Sequence, residues 1–456
     1  MQKARNSFLN IFILKIILIT FSFSSCGSKK STLSNINFAY LYQPSEVLIR
    51  PDFFIQLINE DSLLVHYQLN KEEFLYVRNS ENQQFESQIL IKYAVIPNYE
   101  LPQIVIDSGS FRIREVKTEN FGNIVGKIPI TLNKKPEFST FLIVLTVRDE
   151  HRNLEYPYFL LSDRKSKNSY HYYLPVDTFG NIYLKYTAFT GDIICIHYNS
   201  DTTRRVFVKH FDGTFPIALP PFSAEQEIIY TNEFKIAGTT NNLSGCYHFK
   251  KPGFYLFQTD TSSLEGYYLI VRDDDYPLVN KRHQLVEPLR YLTTQKEFSD
   301  LQASHPDSIK YMADQFWLAR AGSVERAKNL VKAYYSRVQR ANELFTSFKE
   351  GWKTDRGMIY IIFGPPNVVY RYADREVWIY GDDSSALQYR FTFTLTKLPF
   401  SGFYYVLERN ENYRFIWGQA VDAWRNGRVY SIKDIKREQD ERDQQLRYQR
   451  YPYFWF

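Results

Sequence analysis

The residues best suited to chemistry fall into two groups. The first is Trp352, Thr354, Asp355 and Arg356, inside the heptapeptide Gly351-Trp352-Lys353-Thr354-Asp355-Arg356-Gly357. Asp355 beside Arg356 can form a charged pair, and the Thr354 hydroxyl can hydrogen-bond backbone in a turn. Together with the downstream acids Asp374, Glu376, Asp382 and Asp383, Asp355 could serve a hydrolase. No His or Cys lies near it in sequence, however, and the structural reading is preferred. In that reading Trp352 plugs a joint between helix and sheet, Thr354 and Asp355 fix the turn, and Arg356 pairs with a helix acid such as Glu343. The second group is Cys195-Ile196-His197 and Cys246-Tyr247-His248. Residues two apart on a strand share a face, so each pair can present a thiol and an imidazole together. A Cys195–Cys246 disulfide in an oxidising compartment, two separate buried thiols, or a Cys2His2 zinc site all satisfy this pattern. Zinc is disfavoured because its usual ligand spacings are longer and carried on loops. Asp273-Asp274-Asp275 lacks the alternation and glycine of a calcium loop and reads as an acidic linker.

No phosphate-binding loop, G-x-S-x-G, H-E-x-x-H or dinucleotide fingerprint occurs. The chain therefore reads as non-catalytic rather than as an enzyme, and no cofactor or metal is expected.

Several elements must position these residues. Apolar residues recur at helical spacing over 285–301 and 309–348, with a break at Ala321-Gly322-Ser323 and Ser323 as a plausible N-cap. Gly351 is expected to end the second helix at a position needing positive φ. A polar turn, a six-residue β-type run at Met358–Phe363 and a stop at Gly364-Pro365-Pro366 follow. Strand patterns then continue through 367–407, with Gly381-Asp382-Asp383-Ser384 as a turn. Upstream, two blocks, about 36–147 and 157–271, consist of short β-branched and aromatic strands separated by Asn, Asp, Ser and Pro. They end alike, Tyr156-Pro157 echoing Tyr276-Pro277, as the edges of two related modules would. Residues 431–450 interleave both charges as a solvated helix does, and the aromatic tail Tyr451–Phe456 is expected to dock on its own domain or a partner.

The chain has 456 residues, 44% of them apolar and 23% charged, with 36 Tyr and 36 Phe. The aromatics fit either β-rich cores or carbohydrate-binding platforms. The formal charge of +6 includes Lys3, Arg5 and Lys15 of an acid-free leader; beyond residue 25 there remain 53 Lys and Arg against 50 Asp and Glu. That excess is too small to argue for nucleic acid. Residues 1–25 have the basic start and short apolar stretch of a targeting segment. Phe23-Ser24-Ser25-Cys26 resembles a bacterial lipoprotein cleavage box, although Leu is usual where Phe23 stands, and a polar tether follows Cys26. A lipidated Cys26 would hold the protein on a membrane by burying acyl methylenes.

Gly351-Trp352-Lys353-Thr354-Asp355 resembles the GWxTD-domain family. Phe316-Trp317, Tyr335, Arg337, Arg340-Ala341-Asn342-Glu343 and Phe345 lead into the motif as in that family. Arg356-Gly357, Phe363-Gly364-Pro365-Pro366 and Glu376-Val377-Trp378-Ile379-Tyr380 continue it. Ala321-Gly322-Ser323 departs from the Asp-Pro-rich turn common there. The resemblance covers about 285–430 and implies a Bacteroidota envelope lipoprotein without implying a reaction. With Gly after the cysteine and Lys29-Lys30 close by, an outer-membrane anchor facing the periplasm is expected. The expected plan is multidomain: leader 1–25, tether 26–35, antiparallel β-sandwiches over 36–155 and 156–276, a helical segment over 277–350, an α+β core over 351–430, and a charged helix and tail over 431–456. The expected role is an interaction or scaffold module whose partner is another envelope protein. Glycan binding or processing is the alternative.

Overall fold

The computed structural model describes residues 33–441 except 44–47, 103, 120–121, 133–137, 165, 167, 199–204, 225–234, 241–244, 274, 306, 382–387, 399, 401, 432, 436 and 438–439. The leader, Cys26, Asp382, Asp383, most of the 431–450 helix and the aromatic tail lie outside the described residues.

Alternating apolar and polar residues make the first β module: β1 (Asp52–Leu57), β2 (Ser62–Asn70), β3 (Val77–Arg78), β4 (Phe85–Ile96), β5 (Asp107–Val116), β6 (Asn123–Thr131), β7 (Thr140–Asp149) and β8 (Leu154–Asp163). One sheet runs β1-β2-β6; the other runs β3-β4-β7-β8, with β5 also on β4. The second module has β9 (Tyr173–Val176), β10 (Thr187–Phe189), β11 (Ile193–Tyr198), β12 (Phe207–Phe211), β13 (Lys235–Thr239), β14 (Cys246–His248), β15 (Gly253–Gln258) and β16 (Tyr267–Arg272). Its sheets run β14-β11-β9 and β10-β16-β15-β12-β13. Among the described residues all strand pairs are antiparallel except β10 with β16. The two modules share one apolar core, from Val65 and Ile91 through Tyr173 and Ile196 to Phe257 and Leu269.

The Tyr-Pro echo does not mark equivalent places. Pro157 sits inside β8, opposite Thr146, where an edge strand tolerates a missing donor. Tyr276-Pro277 lies in the loop after β16 and its peptide bond is cis.

The expected helix over 285–301 begins later. Pro288 falls in a 3-10 turn, Glu287–Tyr291, and α1 (Gln295–Gln302) starts only where Thr294 and Glu297 form a capping box. Residues 309–348 divide into α2 (Ile309–Ala321) and α3 (Val324–Phe345). Gly322 takes φ 68° between them, and the Ser323 hydroxyl accepts from the Arg326 amide. Met358–Phe363 is not a strand: it belongs to α4 (Asp355–Phe363), buried on nearly every side. A meander of β17 (Val368–Arg371), β18 (Arg375–Tyr380), β19 (Tyr389–Leu398) and β20 (Gly402–Leu407) follows, then α5 (Tyr413–Arg425), a helix not expected from the sequence. The core of this α+β region gathers Trp317, Tyr334, Phe363, Trp378 and Trp424. Residues 33–42, which overlap the end of the expected tether, pack here and on the first sandwich at once: Phe38 meets the Phe159 ring at 4.9 Å, and Tyr40 Oη donates to Pro157 O. The Phe38 amide donates to Val369 O at 2.8 Å, and Phe38 itself is fully buried.

Candidate functional site

The heptapeptide folds as two linked turns against α3. Gly351 does not take positive φ and does not cap the helix, which ends at Phe345. Glycine is required there by contact: a Cβ would lie 2.0 Å from Ala341 O. At Gly357 a Cβ would lie 2.0 Å from Gly351 O, so the second glycine lets the helix start close on the turn. The Trp352 amide donates to Asn342 Oδ1 at 3.1 Å. The Trp352 indole is buried, its ring meets Tyr291, and its carbonyl accepts from Tyr291 Oη at 2.8 Å. Thr354 Oγ1 donates to Gly351 O at 2.7 Å and accepts from Gly357 N at 3.0 Å, which makes it the N-cap of α4.

Asp355 and Arg356 do not pair with each other, and Arg356 does not pair with Glu343, which binds Arg340 at 2.6 Å. The first turn of α4 sends the two side chains to different partners. Asp355 Oδ1 meets Arg409 at 2.5 Å and Oδ2 accepts the Leu407 amide at 3.0 Å. Asp355 is 4% exposed. Arg409 also donates to Leu219 O at 2.7 Å and Pro220 O at 2.8 Å, so one guanidinium ties α4 to a loop of the second β module. The Lys353 carbonyl fastens the same loop by accepting from the Ala218 amide at 3.0 Å.

On the other side, Glu376 is fully buried. Its Oε1 accepts from Tyr42 Oη at 2.7 Å and Trp378 Nε1 at 2.6 Å, and its Oε2 from Arg371 Nε at 2.8 Å. Burial works to raise its pKa, but Arg371 and Arg356 outweigh that and hold the carboxyl below the usual range. Burial and the facing Glu376 push the Tyr42 phenol up to about 12.

Arg356 opens onto a cavity of about 250 Å³ where both β modules meet the α+β region. Its guanidinium lies between the rings of Phe345 and Tyr405, 5.0 and 4.3 Å from their centroids. Across the cavity, Lys397 Nζ binds Asp163 at 2.6 Å and Glu265 at 3.3 Å. Burial lowers the Lys397 pKa, but the two acids outweigh it and raise the net value. Tyr170, Tyr186 and Tyr268 stack along another wall, with Tyr170–Tyr186 and Tyr186–Tyr268 centroids 5.8 and 5.9 Å apart. Burial pushes the adjoining His171 down to about 4, so it stands neutral at pH 7. A second cavity of about 270 Å³ shares Leu161 and Phe403 with the first and is lined by Arg371.

The other expected group lies apart from this region. Cys195 and Cys246 are directly paired on β11 and β14, and their Sγ atoms are joined in a disulfide. The pairing separates the histidines. His248 faces Ile193, four positions along β11 from His197, which at strand rise is roughly 13 Å. The Cys2His2 set therefore does not converge. Asp374 pairs with exposed Arg375, and Asp275 lies in a loop where it accepts from Asn280. Among the described residues no cluster of three metal-ligand side chains occurs.

Residues 253–426 match the family model of the GWxTD domain. The chain is a GWxTD domain-containing protein. The matched GWxTD region begins in β15 and so includes the last two strands of the second sandwich. A comparison with curated proteins gives no match. Arg409 was not found from the sequence, because it lies 54 residues beyond Asp355 and only the fold joins them. Tyr170, Tyr186, Asp163 and Lys397 were missed for the same reason: they come from three separate modules.

Proposed function

We propose that the protein is a non-catalytic interaction or scaffold module of a bacterial envelope. In this reading a lipidated Cys26 anchors it to the outer membrane, facing the periplasm, as expected of Bacteroidota lipoproteins with this domain, and it acts on another envelope protein. The observation that carries the reading is the state of Asp355. Its two oxygens are taken by Arg409 and the Leu407 amide, it is buried, and it lines neither cavity described above. A carboxylate so enclosed has no route to a substrate or a water, which argues against a hydrolase built on the motif. Cross-linking in cells followed by mass spectrometry tests the proposal. A reproducible envelope partner is expected; recovery of monomer alone overturns it.

A second reading, glycan binding, is favoured by the tyrosine wall beside Asp163, Glu265 and Lys397. Stacked aromatic faces with a few polar groups around them are suited to a sugar ring. A pull-down on peptidoglycan and soluble polysaccharides tests it, and failure to retain any of them ends it.

A further inference from the structure

Arg356 is the one member of the Asp355-Arg356 pair left with unfilled hydrogen-bond donors. Among the described residues its guanidinium makes no hydrogen bond, and its nearest acid oxygen, Glu376 Oε1, is 3.7 Å away, too far for one. Glu376 is also shared. Arg371 holds its Oε2 at 2.8 Å, and Tyr42 and Trp378 fill its Oε1 at 2.7 and 2.6 Å. Two guanidinium groups thus lean on one buried carboxylate, which leaves one positive charge without a carboxylate of its own. The Arg356 side chain is only 18% exposed and lines the cavity. The rings of Phe345 and Tyr405 hold it in place without accepting a hydrogen bond from it. A planar, permanently charged fork of donors, largely withdrawn from water, matches a carboxylate, which accepts two parallel N–H bonds.

The rest of the lining limits what can carry that carboxylate. Lys397, the other cation there, is already engaged by Asp163 at 2.6 Å and Glu265 at 3.3 Å. A dianion such as phosphate would therefore meet a single available positive charge. The Ser169 hydroxyl donates to Asp163 O and the Thr346 hydroxyl to Asn342 O, so these groups are spent within the protein and offer little to a ring of sugar hydroxyls. The remaining surface is apolar and largely flat. Tyr186, 40% exposed and stacked on Tyr170 and Tyr268, lines the cavity together with Leu161 and Phe403. Aromatic faces of this kind favour an offset or edge-on aromatic partner. The volume of about 250 Å³ lies just under the roughly 300–1,000 Å³ of pockets for drug-sized ligands, which suits a single ring. From this arrangement we infer that the cavity binds a small aromatic monocarboxylate, its acid on the Arg356 fork and its ring against Tyr186. The inference is independent of the scaffold role and replaces a sugar in this cavity by an aromatic acid, so a sugar acid is one arm of its test.

The test is ligand-observed NMR titration of the full chain, purified in detergent. The probes are benzoate and 3-phenylpropionate, which set the ring at two distances from the acid, the alcohol corresponding to each, and galacturonate. The tighter of the two aromatic acids should bind at least tenfold more tightly than its alcohol and than galacturonate. Arg356→Met should abolish the preference for acid over alcohol, and Tyr186→Ala, at a partly exposed position, should weaken acid and alcohol alike. Should Arg356→Met melt far below the parent, Arg356→Lys keeps the charge without the fork and should still lose several-fold for the acid alone. Failure of either aromatic acid to bind more tightly than its alcohol overturns the inference. Acid binding untouched by both Arg356 variants overturns the site. Galacturonate binding more tightly than both aromatic acids overturns the aromatic class and returns the cavity to the glycan reading.

Discussion

Asp355 and Arg356 are neighbours on one helical turn, yet they end in opposite situations. Asp355 is enclosed by Arg409 and a backbone amide, whereas Arg356 looks into a cavity with its donors unfilled. The contrast shows that a short sequence motif need not be a single functional unit. One half of this one locks the α+β region to the second β module, and the other half lies on the space where both β modules meet that region. It also separates two energetic regimes. A buried ion pair is costly to break because the surviving charge is stranded, while a cation facing a cavity can be removed with little structural loss.

The largest expected effect breaks the closed side. Arg409→Met strands the Asp355 carboxylate and should cost about 3–5 kcal/mol of stability by chemical denaturation; a loss under about 1 kcal/mol would mean Asp355 is not the lock described here. Gly351→Ala comes next, at roughly 3 kcal/mol, because the added Cβ meets the Ala341 backbone and not a side chain able to move. An unchanged melting temperature would show that the turn can shift.

The pH response sharpens the cavity side. Burial lowers both His171 and His66 from 6.5 to about 4. Because the folded state disfavours the proton, the stability they contribute is present above pH 6.5 and is lost as pH falls from 6.5 toward 4. A drop on the order of 2–3 kcal/mol is expected between pH 7 and 4.5, discounted for the partial exposure of His171. The double variant His66→Gln, His171→Gln should flatten it; an equally steep profile in that variant assigns the effect elsewhere. Thr354→Ala removes the N-cap of α4 and should cost about 1 kcal/mol, whereas a cost near zero would mean the turn holds without its hydroxyl. The smallest effect is expected from Arg356→Met, about 1 kcal/mol or less. A loss as large as that of Arg409→Met would erase the distinction between the two residues.

How much of this could be read in advance varies with range along the chain. The α3 pattern was legible because eight buried positions from Ala327 to Phe345 keep helical spacing after a glycine break and a serine cap. Met358–Phe363 was misread because a short run of apolar residues has no period when every face is buried, and a strand and a core helix then look alike. The deciding signals were at its ends: Thr354 three residues before Gly357, an acid in the first turn, and Gly364 at φ 86° closing the helix. The missed helix α5 had its signal in Ile416, Trp417, Ala420, Ala423 and Trp424, whose spacing is helical. Gly351 was recognised as necessary for the wrong reason, since close approach to a carbonyl leaves no trace in local sequence. The cavity had no local signal at all; Asp163, Tyr186, Lys397 and Arg356 meet only because the fold brings three modules to one point.

The packing of residues 33–42 gives the molecule a defined load path. These residues lead out of the proposed tether, yet they lodge on the C-terminal sheet, with Phe38 bonded to Val369 and Tyr42 bonded to Glu376. Tension arriving from a membrane anchor would enter at a seam, shared between the edge strand β17 and the first sandwich, which holds the same segment through Phe159 and Pro157. The same Glu376 that receives this pull lies 3.7 Å from Arg356, so the anchor point and the cavity share one buried carboxylate.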